Sequence, residues 1–265
     1  GSADTINALL DLAMDDSGNM YILHIHSEGY DSRVLVTKMD TTGALLKVLT
    51  ATIRSQIIGR SIKLATLAVN RKSQAVYVAV ASESMALLYT DTGGQGNDTF
   101  IADTIPNFGL RKMSPTFGSI DVTVFGSTVT DSVYVVGITD SGIGISAANA
   151  AYTESGVMLW RFTAAGKLKD STLLVYRSPD TSLDGTGSET GTLDKKHVPS
   201  KVLIEAIGAN KIAVLFLGHR PFNRSEPQIH PLGLNAAADS TFGVWYDTFL
   251  ISGTGAAVLD SGVGA

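Results

Sequence analysis

The strongest limit on what this chain can become is a repeat carried by its turns. Four segments share one plan, an apolar strand, a short polar turn and a second β-rich strand: Leu9 to Tyr21, Leu64 to Tyr77, Ile120 to Tyr134 and Val202 to Ile212. The marker residues Tyr21, Tyr77, Tyr134 and Ile212 lie 56, 57 and 78 residues apart. The longest interval carries an extra polar stretch, Ser178 to Val198. Each segment is followed by a second hairpin whose turn holds a glycine, at Gly43, Gly93, Gly166 and Gly255. Glycine suits the positive φ of such turns. Each module therefore offers four strands in up-and-down order.

The expected fold is all-β, with four four-stranded antiparallel modules spanning approximately 5–53, 62–105, 119–176 and 199–260 of a single 1–265 domain. Four-stranded modules of this kind are the blades of a β-propeller. A β-sandwich built from the same strands is the alternative. The chain is then a four-bladed ring, part of a larger ring, or a protomer that completes its ring with another chain. Composition agrees with many short strands. Hydrophobic residues make up 44% of the chain and charged residues 17%, against roughly 25% charged in an average soluble domain. The 27 glycines sit mostly at turn-like positions.

One stretch resembles a known family. The run Asp15-Asp16-Ser17-Gly18-Asn19-Met20-Tyr21, followed by Val36-Thr37-Lys38-Met39-Asp40-Thr41-Thr42-Gly43, is similar to the β-propeller repeat of bacterial secreted and cell-surface proteins. In that family a D-x-S-G-N-x-Y turn precedes a K-x-D-x-x-G turn. The first module fits this pattern well. The third keeps Tyr134, Val135, Gly137, Thr139, Ser141, Phe162 and Gly166. The resemblance implies a scaffolding or adhesive setting, extracellular or at a cell surface.

Charge and hydropathy exclude several classes of partner. A net charge of −5 with scattered Lys and Arg argues against nucleic acid, which requires a basic stripe to displace counterions from phosphates. No 18-residue apolar run exists, so membrane insertion by a helix is not expected. With no cysteine, neither a disulfide nor a thiolate site is available. No signal peptide is visible, and the leading Gly1-Ser2 suggests a mature form or an excised domain. Asn97-Asp98-Thr99 and Asn223-Arg224-Ser225 are glycosylation sequons.

Binding is expected on the face that collects the longest connections. From marker residue to turn glycine the modules use 22, 16, 32 and 43 residues, and loops on a rigid scaffold are where binding usually resides. The candidate segments are His26 to Ser32, Asp140 to Ser155, Ser178 to Val198 and His219 to Thr241. Within them His219, Arg220, Asn223, His230 and Asp140 are the candidate ligand contacts. His24, His26 and Glu28 alternate along a predicted strand and would share one face, which suits zinc or another divalent ion. Asp180, Ser182, Asp184 and Glu189 approximate a calcium loop, with Gly185 at the sharp turn. No cofactor is fixed by the sequence, and calcium is the candidate for the 180–189 segment. The bland reading of these groups is a polar strand end and a polar loop.

Enzymatic motifs are sparse. Asp91-Thr92-Gly93 and Asp260-Ser261-Gly262 resemble the paired loops of aspartic proteases, but Asp16-Ser17-Gly18 and Asp140-Ser141-Gly142 have the same form at turn positions. Trp160 and Trp245 are expected to pack between modules. The leading expectation is a non-enzymatic binding or structural module with a protein or glycan partner, open to a larger assembly. The alternative is a hydrolase or lyase acting on polysaccharide, and a more remote one is an aspartic-protease-like enzyme.

Overall fold

The computed structural model of the chain describes residues 6–28, 31–53, 64–81, 85–91, 100–106, 119–125, 132–139, 156–176, 199–207, 211–219, 230–231, 242–251 and 257–259. They form strands and turns in four antiparallel sheets. No helix among them is long and apolar enough to cross a membrane. The first sheet is β1 (Ile6–Met14), β2 (Met20–Glu28), β3 (Asp31–Met39) and β4 (Leu45–Ile53). The second is β5 (Leu64–Val69), β6 (Val76–Ala81), β7 (Ala86–Asp91) and β8 (Ile101–Ile105). The third is β9 (Ser119–Phe125), β10 (Ser132–Thr139), β11 (Gly156–Thr163) and β12 (Leu168–Tyr176). In each, spatial order follows chain order, as an up-and-down meander requires.

The fourth sheet departs from the expected four strands. It pairs β13 (Pro199–Ala206), β14 (Lys211–His219) and β16 (Phe242–Ile251), and the outer edge of β16 is shared. β15 (His230–Pro231) pairs with its first half and β17 (Ala257–Leu259) with its second. Proline contributes no N–H to a ladder and is tolerated at a sheet edge, which is where Pro231 lies. His219 and His230, read from the sequence as loop residues, are therefore strand residues. The first module corrects the reading of residues 26–28 and 31–32 in the same way: pairing runs through Ser27↔Ser32 to Glu28↔Asp31, so these are strand residues of β2 and β3.

Alternation along each strand sends apolar side chains to both faces, so each sheet can pack on two neighbours. The first and second sheets bury Tyr21, Leu23, Val34 and Val36 against Leu67, Val76 and Val78. The second and third enclose Tyr77, Ala79 and Leu88 with Val133, Trp160 and Phe162. The third and fourth enclose Tyr134, Val136 and Leu159 with Val202, Ile204 and Val214. Trp160 thus packs between modules as expected, with its indole N–H donating to the Pro106 carbonyl at 3.0 Å. The modules stack face to face in chain order, and the middle two are covered on both faces.

The marker residues explain one misreading. Tyr21, Tyr77 and Tyr134 all face the following module. Ile212 instead faces the preceding one, and the position equivalent to the tyrosines is Ala213. A one-residue slip in a strand exchanges the two faces.

Candidate functional site

The first strands of the four modules, β1, β5, β9 and β13, line an open cavity of about 1080 Å³. Its wall carries Asp11, Thr66, Asp121 and Glu205, and Asp16, Arg71 and Lys72 from the turns after β1 and β5 also line it. The register explains the row of polar groups Asp11, Thr66 and Asp121. Asp11 lies opposite Leu23, Thr66 opposite Ala79 and Asp121 opposite Val136, each two residues beyond its marker tyrosine. Leu203, opposite Leu215, holds the equivalent place in the fourth module.

These residues fasten one module to the next. Asp11 Oδ2 accepts the Leu67 N–H at 2.8 Å, and Asp121 Oδ2 accepts the Ile204 N–H at 2.8 Å. Between them the Thr66 hydroxyl lies 2.7 Å from Asp121 Oδ1 and 3.1 Å from Asp11 Oδ2. A hydroxyl has one proton to donate, so it serves one carboxylate at a time, and the shorter contact favours Asp121. Ser119 completes the wall: its Oγ accepts the Val202 N–H and donates to the Val202 carbonyl, both at 3.1 Å. Burial pushes the Asp121 carboxyl above its ordinary range and the nearby Asp11 adds to this, while Ile204, Thr66 and Val122 pull it partly back. Burial also raises Glu205, with Arg71 opposing and Asp121 reinforcing the shift.

A second cluster gathers the residues of the repeat motif. Asp15 caps the turn after β1, accepting the backbone N–H of Ser17 at 2.9 Å and of Asn19 at 3.0 Å. Its other oxygen accepts the Asn19 amide at 2.8 Å and the Tyr21 hydroxyl at 3.0 Å. Lys38 stands 5.1 Å from the centre of the Tyr21 ring, 4.0 Å from Asp15, and donates to Gln74 of the second module at 2.8 Å. Asp40 repeats the turn chemistry after β3, accepting from Thr42 and Ala44. The Asp-Ser-Gly at 16–18 thus belongs to a self-bonded turn. Asp91 ends β7 and pairs with Lys47 across the first junction at 3.6 Å; Asp260 lies outside the described residues.

His24 and His26 share the face of β2 that points away from the second module. Burial lowers the affinity of His24 for a proton, and His26 adds to the effect. The side chain of Glu28 lies outside the described residues, and those residues contain no group of three or more potential ligands placed to hold a metal. Asp140, Arg220, Asn223, Asp180, Ser182, Asp184 and Glu189 lie outside the described residues, as do the side chains of His219, His230 and Trp245. Asp11, Thr66 and Asp121 are missing from the sequence reading, which passed over them as parts of apolar strands. Their signal was a polar residue in mid-strand at matching places in three modules.

No family model matches the chain, and no curated protein matches it. Among solved structures it is similar to the endosialidase of phage phi92, with 8% identity and a TM-score of 0.48 over 94% of this chain and 36% of that one. It is also similar to a mutant apocarotenoid oxygenase of Synechocystis, with 12% identity and a TM-score of 0.42 over 98% of this chain and 50% of that one. The chain therefore spans about a third to a half of these neighbours.

Proposed function

We propose that this chain is a non-enzymatic binding or structural module, working outside the cell or at a cell surface, whose stacked sheets present a glycan or protein partner with the cavity and the loops at its strand ends. One observation carries the reading. The two carboxylates that face each other across Thr66 accept backbone N–H groups of the next module, which is the work of structural acids. A polar cavity of about 1080 Å³ has the capacity for an oligosaccharide, and the Arg71-Lys72 pair on its lining suits a sugar acid. The meeting of Asp15, Asn19, Tyr21 and Lys38 in one cluster supports the resemblance to the secreted and surface propeller repeat. Calcium in the 180–189 loop remains part of the proposal.

The second reading, a polysaccharide-acting hydrolase or lyase, is favoured by one feature. Asp121 is a carboxyl with raised proton affinity beside a second carboxylate on a cavity wall, as a general acid would be. Titration calorimetry with neutral and uronic-acid oligosaccharides, alongside an assay for released reducing or unsaturated ends, separates the two. The binding reading expects saturable heat, weakened when Arg71 and Lys72 are both changed to Ala, and no released ends. Turnover that disappears in Asp121→Asn would replace it with the enzymatic reading. Silence in both assays removes the glycan as a partner.

A further inference from the structure

The three junctions between modules follow one rule. Leu67, Val69, Val76, Val78 and Tyr89 form the face of the second module buried against the first. Val122, Val133, Val135 and Trp160 take the same positions in the third module against the second. The register carries these positions into the first module as Leu12, Met14, Met20, Ile22 and Thr37. Among the described residues no sheet covers them. Leu12 and Met14 are each 54% exposed, against 6% for Leu67 and 9% for Val69. Val48 beside Thr37 extends the apolar face outward and is 40% exposed.

The fourth module ends the stack with the complementary face. Leu203, Glu205 and Leu215 stand where earlier modules receive their successor, and Leu203 is 41% exposed. We propose that these end faces bind each other between two copies of the chain. The fourth module of one copy stacks on the first module of the other, and twofold symmetry repeats the junction to close a ring of eight modules. A second copy is the occupant because it brings both missing faces at once. Each face is the register equivalent of one already mated three times within the chain.

The chemistry of the new junction differs from the internal ones in one respect. Leu203 replaces the fastening residue supplied by Asp11, Thr66 and Asp121, so contact with Leu12 and Met14 is apolar where the others are hydrogen-bonded. Apolar burial then drives association. A head-to-tail interface that closes on itself gives a ring rather than a filament, and eight modules lie within the range of known propellers. The cavity lined by four first strands becomes a channel lined by eight.

Light scattering on the intact chain tests this, and the expected mass is twice the 27.8 kDa of one copy. Leu12→Lys and Leu203→Glu should each give a monomer that keeps its near-ultraviolet tryptophan dichroism, reporting a folded core around Trp160. Mixing the two variants should restore the dimer mass, since one junction then pairs Lys with Glu and the other keeps both leucines. A monomeric intact chain overturns the proposal. So does a dimer indifferent to both substitutions, or a mixture that stays monomeric.

Discussion

Two carboxylates respond to pH with opposite sign. Burial alone would raise Asp15, but its bonds from Asn19, Tyr21 and Ser17 outweigh that and hold it below its ordinary value of 3.8. Its contribution to stability is therefore complete above that value and is lost as pH falls through the lower folded one. Asp121 is raised, so its contribution is complete below 3.8 and is lost as pH rises through its folded value. Asp15→Ala should cost roughly 2–4 kcal/mol at neutral pH, because it strands several donors at once. In urea melts across pH that deficit should narrow in acid; a constant deficit would contradict the hydrogen-bond explanation. Glycines give a second residue-scale prediction. Gly43 and Gly166 both have positive φ, at 83° and 75°, but a Cβ at Gly43 meets nothing while one at Gly166 runs into Thr90 of the second module. Gly43→Ala should cost about 1 kcal/mol from backbone strain. Gly166→Ala should add about 1–3 kcal/mol of overpacking, visible as a larger fall in melting temperature.

At the scale of the element, strand alternation made most of the fold legible and hid the cavity. Tyr21, Tyr77 and Tyr134 mark the same strand and the same face; the first two each follow a short turn with its own hydrogen-bonded cap, Asp15 and Asn70. The fourth marker slipped by one residue because Val202 to Ile212 is apolar at nearly every position that decides the face, and Ile212 and Ala213 fit a buried strand equally well. β15 was illegible for another reason: two residues paired to an edge leave no periodicity to read. Asp11 and Asp121 were passed over because carboxylates inside apolar strands look like interruptions until the next module's N–H groups stand beside them. The stacking order itself predicts local stability. β6 and β10 lie in modules covered on both faces, so their amides should exchange most slowly, with those of β1 faster. Exchange fastest in β6 would contradict the order of the stack.

In the whole molecule, the cavity acids either hold modules together or stand free for chemistry. A scaffold of stacked sheets needs polar links where its first strands converge, and the Asp11–Thr66–Asp121 chain supplies them across the first, second and third junctions in turn. An enzyme of the same shape would keep such carboxylates uncommitted and pay for them in stability. The binding reading therefore ties function to the loops and the cavity volume, and ties the acids to cohesion. The measurement to make is a double-mutant cycle in denaturant using Thr66→Val, Asp121→Ala and the pair. A coupling of about 1.5–3 kcal/mol is expected for a hydrogen bond to a charged partner within one network. Additive losses, with coupling below about 0.3 kcal/mol, would mean that the two side chains act independently and that the cavity acids are not the fasteners described.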